Sequence, residues 1–425
     1  MRGNYLTINA IIRFNQIEAR PDLHIGEDES GMHSVASVEN FRNAVAKGFP
    51  GGRITWAFTW KALQSELPQY AAIRQRVRAF ALQYGDDVTY NPGAYFANAY
   101  STRGEVNLEL DGGIAMLRGF MGEEYTPKSV VAGFLSAENQ RHLAEKWGVH
   151  VCQGNIWSQY AIDNQDGDGS VCYPYYPSKE HFCKPAQGAA DFIDCVNLDG
   201  WTVDFLAGRH KGHGEYSSRT GAGPIETLLF RGALDGMRIL QSTTHLHFEE
   251  NRIHNDFGWV TASWENCLEY HSAQYGYGAG AFLGKLTEWL QWVRRQWPAA
   301  QMPTLGEFGL QWRNAHPCND FAYRFDEDGT PESGSDADLH IRWYMRPQFR
   351  LALLWPKKSP EQVRVIDFTR YDLPAKEPKS PVRNWSLLGD INQKQTRPQD
   401  QPLRVADCGE EIKRALRAVG YFETC

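Results

Sequence analysis

Short apolar runs of β type alternate with helical stretches over roughly the first three quarters of the chain. The runs that read as strands are Leu6–Phe14, Ile54–Thr59, Val88–Asn91, Val130–Leu135, Val149–Gln153, Phe192–Asn197, Thr243–Phe248 and Thr304–Phe308. Between them lie helical patterns with clear punctuation. Pro68 opens one that carries Ile73, Val77 and Phe80 on one face and stops near Gly85. Another spans Ala137 to Trp147, with Gly148 as its stop. Ile225–Leu240 and Phe282–Trp297 are long and apolar-faced, the second ended by Pro298.

Strands alternating with helices imply parallel pairing through crossover connections. About eight repeats of the unit favour closure over an open doubly wound sheet. The expected fold is therefore α/β, a TIM-like (β/α) barrel of seven or eight strands over residues 1–315. Beyond Asn314 the character changes. Asp326–Asp338 is an acidic loop, Ile341–Leu354 and Val363–Tyr371 are strand-like, and Glu410–Val419 is an amphipathic helix. Residues 316–425 read as a smaller α+β appendage without a chemical motif of its own.

Composition narrows the function. The 425 residues carry a net charge of −7 with both signs interleaved, so the basic footprint of a nucleic-acid binder is missing. No apolar run is long enough to cross a membrane. Tyr5–Phe14 is interrupted by Asn9 and Arg13 with no small-residue cleavage site after it, so no signal peptide is visible and location stays open between cell and exterior. The eight cysteines form no C-x-x-C pair; Cys152, Cys172, Cys183 and Cys195 cluster, which fits disulfides in an exported protein and buried thiols equally well. Neither G-x-G-x-x-G after the first strand, nor a phosphate-binding G-x-x-x-x-G-K-[ST], nor a G-x-S-x-G elbow occurs. Aromatic residues make up 13% of the chain, with 14 tryptophans. Most belong in a core, but rings at strand ends also stack on the apolar faces of sugars.

In barrels the chemistry sits at the carboxyl ends of the strands, and here those positions are polar. Glu18, Asp28 and Glu29 follow the first strand, Trp56 and Trp60 the second, Tyr90, Asn91 and Tyr95 the third, and Glu138 with Asn139 the fourth. Gln153, Asn155 and Trp157 follow the fifth, Asp199, Trp201 and Asp204 the sixth, His245, His247, Glu249 and Glu250 the seventh, and Glu307 the eighth. Carboxylates, amides and tryptophans together suit glycosidic hydrolysis: one carboxyl protonates the leaving oxygen and a second attacks or activates water. The expected catalytic pair is drawn from Glu307, Glu250, Asp199 and Glu138. Trp60, Tyr95, Asn139, Gln153, Asn155, Trp157, Trp201, Asp204, His245 and His247 would hold the sugar. Glu307, in Thr304-Leu-Gly-Glu-Phe-Gly309, is the most pointed candidate, although a glutamate bonding a neighbouring loop gives the same pattern.

On a strand, His245, His247 and Glu249 would share one face and could bind a zinc-like ion. H-x-H alone is a weak signal: the side chains could equally bond sugar hydroxyls or be satisfied polar groups in the barrel, and metal binding is the minority reading. Asp163, Asp166 and Asp168 have the oxygen density of a calcium loop, but Pro174 stands where an EF-hand's closing glutamate belongs. A solvated acidic turn is favoured over a structural calcium, and no cofactor is required.

The segment Val131-Ala-Gly-Phe-Leu-Ser-Ala-Glu-Asn-Gln-Arg-His-Leu-Ala-Glu-Lys-Trp-Gly148, followed by Val149-His-Val-Cys-Gln-Gly-Asn-Ile-Trp157, is similar to the strand–turn–helix–strand unit of polysaccharide deacetylases. With Asn197-Leu-Asp-Gly-Trp-Thr-Val-Asp204 and Gly223-Pro-Ile-Glu-Thr227, the chain resembles the glycoside hydrolase/deacetylase β/α-barrel superfamily. Within it, the likeness is to bacterial barrel proteins of unassigned activity. The resemblance implies a barrel acting on oligo- or polysaccharide. Deacetylases of that superfamily use an Asp-Asp pair and an H-x-x-x-H metal motif. Here Asp86-Asp87 precedes a strand and no such histidine pair is found, so metal-free glycoside hydrolysis fits better. Metal-dependent deacetylation and a non-catalytic sugar-binding barrel are the alternatives.

Overall fold

The computed structural model describes all residues except 21–22, 156–168, 201–204, 209–235, 268, 271–279, 380, 383–384, 392–400 and 424–425. β1 (Gly3–Ile12) pairs in parallel with β4 (Thr55–Phe58) on one side and β9 (Phe257–Glu265) on the other, and β4 pairs with β5 (Asp87–Tyr90). A second parallel sheet joins β6 (Val130–Val131), β7 (Val151–Asn155) and β8 (Val196–Asp199). A hairpin of β2 (Asn15–Arg20) and β3 (Leu23–Asp28) follows the carboxyl end of β1.

Alternation along β1 sorts its residues. Leu6, Ile8, Ala10 and Ile12 pack against the helices, meeting Phe41 and Val45 of α1 (Val35–Gly48) and Val77 and Phe80 of α2 (Pro68–Tyr84). The same layer takes in Val106, Leu110 and Ile114 of α3 (Arg103–Met121). Thr7, Asn9 and Ile11 turn to the other face, towards the second sheet. Gly85 caps α2 with φ 74°, the left-handed stop its sequence position suggested. α4 (Ala137–His142) runs on through a wider turn, Leu143–Trp147, and ends at Gly148 with φ 64°.

Three expectations change. The ladder divides into sheets of four and three strands, so among the described residues the strands form a mixed α/β fold and no closed TIM-like barrel. The sheets approach where Gly133 N donates to Tyr95 O at 3.2 Å. Thr243–Phe248 is helical: α5 (236–245) carries its start and a wide turn, Leu246–Glu250, its end. Thr304–Phe308 is the start of α7 (Leu305–Ala315), which follows α6 (Ala281–Gln296). The strand the pattern reading passed over is β9, which pairs with β1 along nine residues. Of the expected helix Ile225–Leu240, residues 225–235 lie outside the described residues and the remainder belongs to α5.

The C-terminal part is a five-stranded antiparallel sheet of β10 (Tyr323–Asp328), β11 (Leu339–Met345), β12 (Phe349–Pro356), β13 (Arg364–Arg370) and β14 (Leu403–Arg404). One face, with Phe325, Ile341, Trp343 and Met345, packs on Tyr173, Trp259 and Trp312. The other is covered by Ile412, Ala415 and Leu416 of α8 (Glu410–Ala418). Buried Arg350 grips Asp367 through two bonds of 3.1 and 2.8 Å and donates to Ser170 O at 2.9 Å. None of the seven described cysteines is bridged, and all but Cys318 are buried.

Glu377, between β13 and β14, ties that connection to the parallel strands' loops. It accepts from Ala137 N at 2.8 Å and Phe182 N at 2.9 Å, and pairs with Arg103 at 3.1 Å. Burial pushes its carboxyl up to about 7, against these stabilising bonds. A carboxyl raised on folding contributes its stability below the unfolded value and loses it as pH rises through the folded one. Wild type should therefore lose stability relative to Glu377→Gln as pH climbs from about 4.5 to about 7. Denaturant midpoints of the two proteins across that window check it; a difference independent of pH would contradict it.

Candidate active site at the carboxyl ends of the strands

Between the two sheets the inward positions are polar. Asn9 Nδ2 donates to Gln153 Oε1 at 2.7 Å, and Ser263 Oγ reaches the same oxygen and Gly200 O, each at 3.3 Å. Gln153 Nε2 donates to Ala132 O at 2.9 Å, and Thr7 Oγ1 to Thr261 Oγ1 at 2.9 Å. Apart from Asn9 Oδ1, which has no hydrogen-bond partner among the described residues, these groups are buried and partnered, as buried polar atoms ordinarily are. They join β1, β7, β8 and β9 across the gap that no ladder bridges.

Above this layer, at the strand ends, sits a charged group. Arg13, one residue past β1, donates from Nε to Glu29 Oε2 at 2.7 Å, and its Nη2 lies 2.7 Å from both Glu29 Oε1 and Glu265 Oε2. Glu265 ends β9 two residues beyond Ser263, so by alternation it shares the inward face. Side-chain exposure is 7% for Arg13, 2% for Glu29 and 15% for Glu265, making Glu265 the accessible carboxylate of the three. Burial alone would raise the Glu29 carboxyl, but His33 and Arg13 beside it hold it at about 2. Tyr70 Oη donates to Arg13 O at 2.9 Å, fixing the backbone beneath.

Glu18 clamps the ends of β1 and β4 together. It accepts from Phe14 N, Asn15 N, Thr59 Oγ1 and Lys61 N at 2.9, 3.2, 2.7 and 2.9 Å. Past β5, Gly93, Ala94 and Tyr95 take φ of 60°, 47° and 81°. Left-handed backbone costs a non-glycine residue about 1–2 kcal/mol, and such strain gathers at functional sites. Asn91 Oδ1, accepting from Tyr95 N, and Glu109, accepting from Tyr90 Oη and Gly93 N, hold this turn. Burial pushes the Glu109 carboxyl up to about 7, with Glu18 adding to the effect.

The residues expected from sequence divide into groups. Tyr95, Gln153, Asn155 and Asp199 lie at the carboxyl ends. Asn155 bonds Asn197 and Ser170, and Asp199, 1% exposed, accepts from Gly200 N at 2.8 Å. Asn139 is saturated by Asn98, Asn107, Ser136 and Arg103 O, which makes it scaffolding at the start of α4. Trp60 packs its ring on Gly112 of α3. Trp157, Trp201 and Asp204, and the loop of Asp163, Asp166 and Asp168, lie outside the described residues.

Other placements are corrections. Glu138 is exposed in the first turn of α4, where acidic residues favour a helix start. Helical geometry removes the shared strand face expected for His245, His247 and Glu249. His247 is buried with Nδ1 2.9 Å from Tyr173 Oη, while His245 is half exposed and 3.6 Å from an equally exposed Glu250. Among the described residues no three His, Cys, Asp or Glu side chains are disposed to hold a metal ion.

Glu307 stands at the opposite end of the strands. Its side chain closes a capping box with Thr304 and pairs with Arg53 at 2.5 Å and Lys128 at 2.9 Å, residues that precede β4 and β6. Burial raises its carboxyl, but Lys128, Thr304 N and Arg53 more than reverse this and hold it below its ordinary value. These groups line a surface groove of about 470 Å³. Glu307→Ala should cost about 0.5–1.5 kcal/mol of stability through the lost bond from Thr304 N and leave turnover unchanged. Chemical denaturation beside an activity assay reads both, and a collapse of turnover in a folded variant would return Glu307 to the catalytic set.

Sequence reasoning missed Glu265 and saw Arg13 only as a break in an apolar run. The signal was present in Phe257–Glu265, where Trp259, Thr261, Ser263 and Glu265 occupy every second position.

The chain is similar in sequence and fold to known proteins. The family model of a domain of unknown function, DUF3863, matches residues 1–345, and that of a second, DUF3864, matches residues 350–419. A crystal structure from Parabacteroides distasonis, bearing a provisional glycoside hydrolase/deacetylase assignment, is 40% identical with a TM-score of 0.90, over 98% of this chain and 97% of that one. A Mycobacterium smegmatis protein provisionally assigned as a polysaccharide deacetylase is 11% identical with a TM-score of 0.45, over 74% of this chain and 91% of its own. A GH57-type branching enzyme from Pyrococcus horikoshii is 12% identical with a TM-score of 0.42, over 73% and 71%. The last two likenesses are too slight to bear on this chain's chemistry. None of the curated proteins matches the chain.

Proposed function

The chain belongs to the DUF3863 family, and we propose that it is a carbohydrate-active hydrolase working at the carboxyl ends of its parallel strands. Two considerations support this reading. The Parabacteroides distasonis protein, similar along the whole chain, carries a glycoside hydrolase/deacetylase assignment. The observation that carries the location is Arg13, pinned by Glu29 so that its second nitrogen orients Glu265 at the mouth of the polar interior.

The finer proposal is glycoside hydrolysis by two carboxyls. Glu265, held by Arg13 through one oxygen, serves as nucleophile or base. Asp199, at the end of β8, protonates the leaving oxygen. Gln153 and Asn155 bond sugar hydroxyls, and the Asn91–Tyr95 turn shapes one wall. A closed barrel is part of the same proposal, as is an oligo- or polysaccharide substrate. A panel of glycans, aryl glycosides and acetylated glycans, assayed with and without EDTA, tests it. Sugar release that survives EDTA is expected. Acetate release that EDTA abolishes and zinc restores would overturn the reaction and favour a deacetylase; tight glycan binding without turnover would overturn catalysis itself.

A further inference from the structure

His33 lies between the β2–β3 hairpin and α1, with 0% of its side chain exposed. Among the described residues neither ring nitrogen has a hydrogen-bond partner. Buried polar groups ordinarily avoid that state, so an imidazole left in it calls for an explanation. Its Nε2 faces Glu29 Oε2 at 3.7 Å, just beyond hydrogen-bond reach. That oxygen is the one accepting from Arg13 Nε at 2.7 Å.

We propose that His33 is a proton-operated brace that sets how firmly Glu29 holds Arg13, and through Arg13 the position of Glu265. It rests on the reading of Glu265 as a working carboxylate. With a neutral ring, His33 stays 3.7 Å from Oε2 while Arg13 holds the same oxygen at 2.7 Å. A proton on His33 supplies a second cation to Oε2, and a charge-assisted bond of about 2.8 Å would draw the carboxylate towards the ring. Arg13 Nε then loses its short contact, and its guanidinium leans on Glu265. Protonation of His33 therefore ties Glu265 more tightly and lowers turnover.

The groups around this pair come from every neighbouring element. Arg13 follows β1, Asp28 ends β3, and Glu265 and Cys267 lie at the end of β9. Tyr70 of α2 sets its ring 6.2 Å from the imidazole, with Glu18 and Lys61 beyond. Arg13 Nη2 also stands 3.8 Å from Cys267 Sγ. The guanidinium thus lies between Glu29, Glu265 and Cys267 and links the three.

Nuclear magnetic resonance titration of the full chain tests this, following the His33 ring and the Arg13 Nε–H signal. In wild type the Arg13 signal should move with the midpoint of His33's own titration. In Glu29→Gln the Arg13 signal should no longer follow the His33 titration, because the carboxylate that links the two is gone. In His33→Phe the step in Arg13 should vanish without a lower melting temperature, because no hydrogen bond is lost. An Arg13 signal that still steps in His33→Phe, or stays still while His33 titrates in wild type, would overturn the proposal. Should His33→Phe fail to fold, an Arg13 step that persists unchanged in Glu29→Gln would overturn it alone. None of these readouts uses turnover. A fully active Glu265→Gln would therefore sink the functional reading and leave the brace standing, while failure here would leave that reading untouched.

Discussion

Replacing Glu265 with glutamine is expected to lower turnover by roughly 10²–10⁴-fold with the fold intact. The amide keeps the size of the carboxylate and an oxygen for Arg13 Nη2, so the 2.7 Å contact can persist. What disappears is the negative charge that attacks or deprotonates. Arg13 remains charge-paired with Glu29, so no buried cation is orphaned. Circular dichroism and melting should therefore match wild type while hydrolysis on a responding substrate collapses. Wild-type turnover in Glu265→Gln would exclude it from the chemistry.

The largest expected loss of stability lies elsewhere. Asp367→Ala should destabilise the protein by about 3–5 kcal/mol, because it removes the carboxylate that balances the buried Arg350 guanidinium. Arg350 is wholly buried and spans two layers: it is anchored to Asp367 on β13 and donates to Ser170 O in the segment that packs beside β8. Replacing both charges, as in Arg350→Met with Asp367→Leu, should cost less than the single change, since an apolar pair leaves no unmet charge. Denaturant unfolding of the three variants reads the order. A double variant weaker than Asp367→Ala would show that the bond to Ser170, rather than the ion pair, carries the joint.

Where local pattern and tertiary role agreed, the sequence was legible. β1, β4 and β5 were plain because each is a short buried run with turn residues on both sides. α2 was plain because Pro68 and Gly85 mark its ends. Two failures share one cause. Thr243–Phe248 and Thr304–Phe308 are short apolar runs, and such runs do not separate strand from buried helix by period alone. In the second, Thr304 and Glu307 at a three-residue spacing are a capping box, a helix-start signal that outweighs the flanking glycines.

The site was half legible for a related reason. Gln153, Asn155 and Asp199 sit at strand ends that the pattern located to within a few residues. Glu265 stayed hidden because β9 follows a left-handed Asp256 and a wide helical turn, and no Gly or Pro punctuation brackets it. The Arg13–Glu29–Glu265 group draws its members from positions up to 252 residues apart. Only the pairing of β1 with β9 brings them together.

Backbone hydrogen exchange on Glu265→Gln, with and without an oligosaccharide that wild type cleaves, tests the location of the site most directly. Slowed exchange is expected at residues 9–15, 59–61, 91–95 and 261–267, around the carboxyl ends of the strands, with no change around Arg53, Lys128 and Glu307. Protection confined to the groove of Arg53, Lys128 and Glu307 would contradict it and move the chemistry to the other end of the molecule.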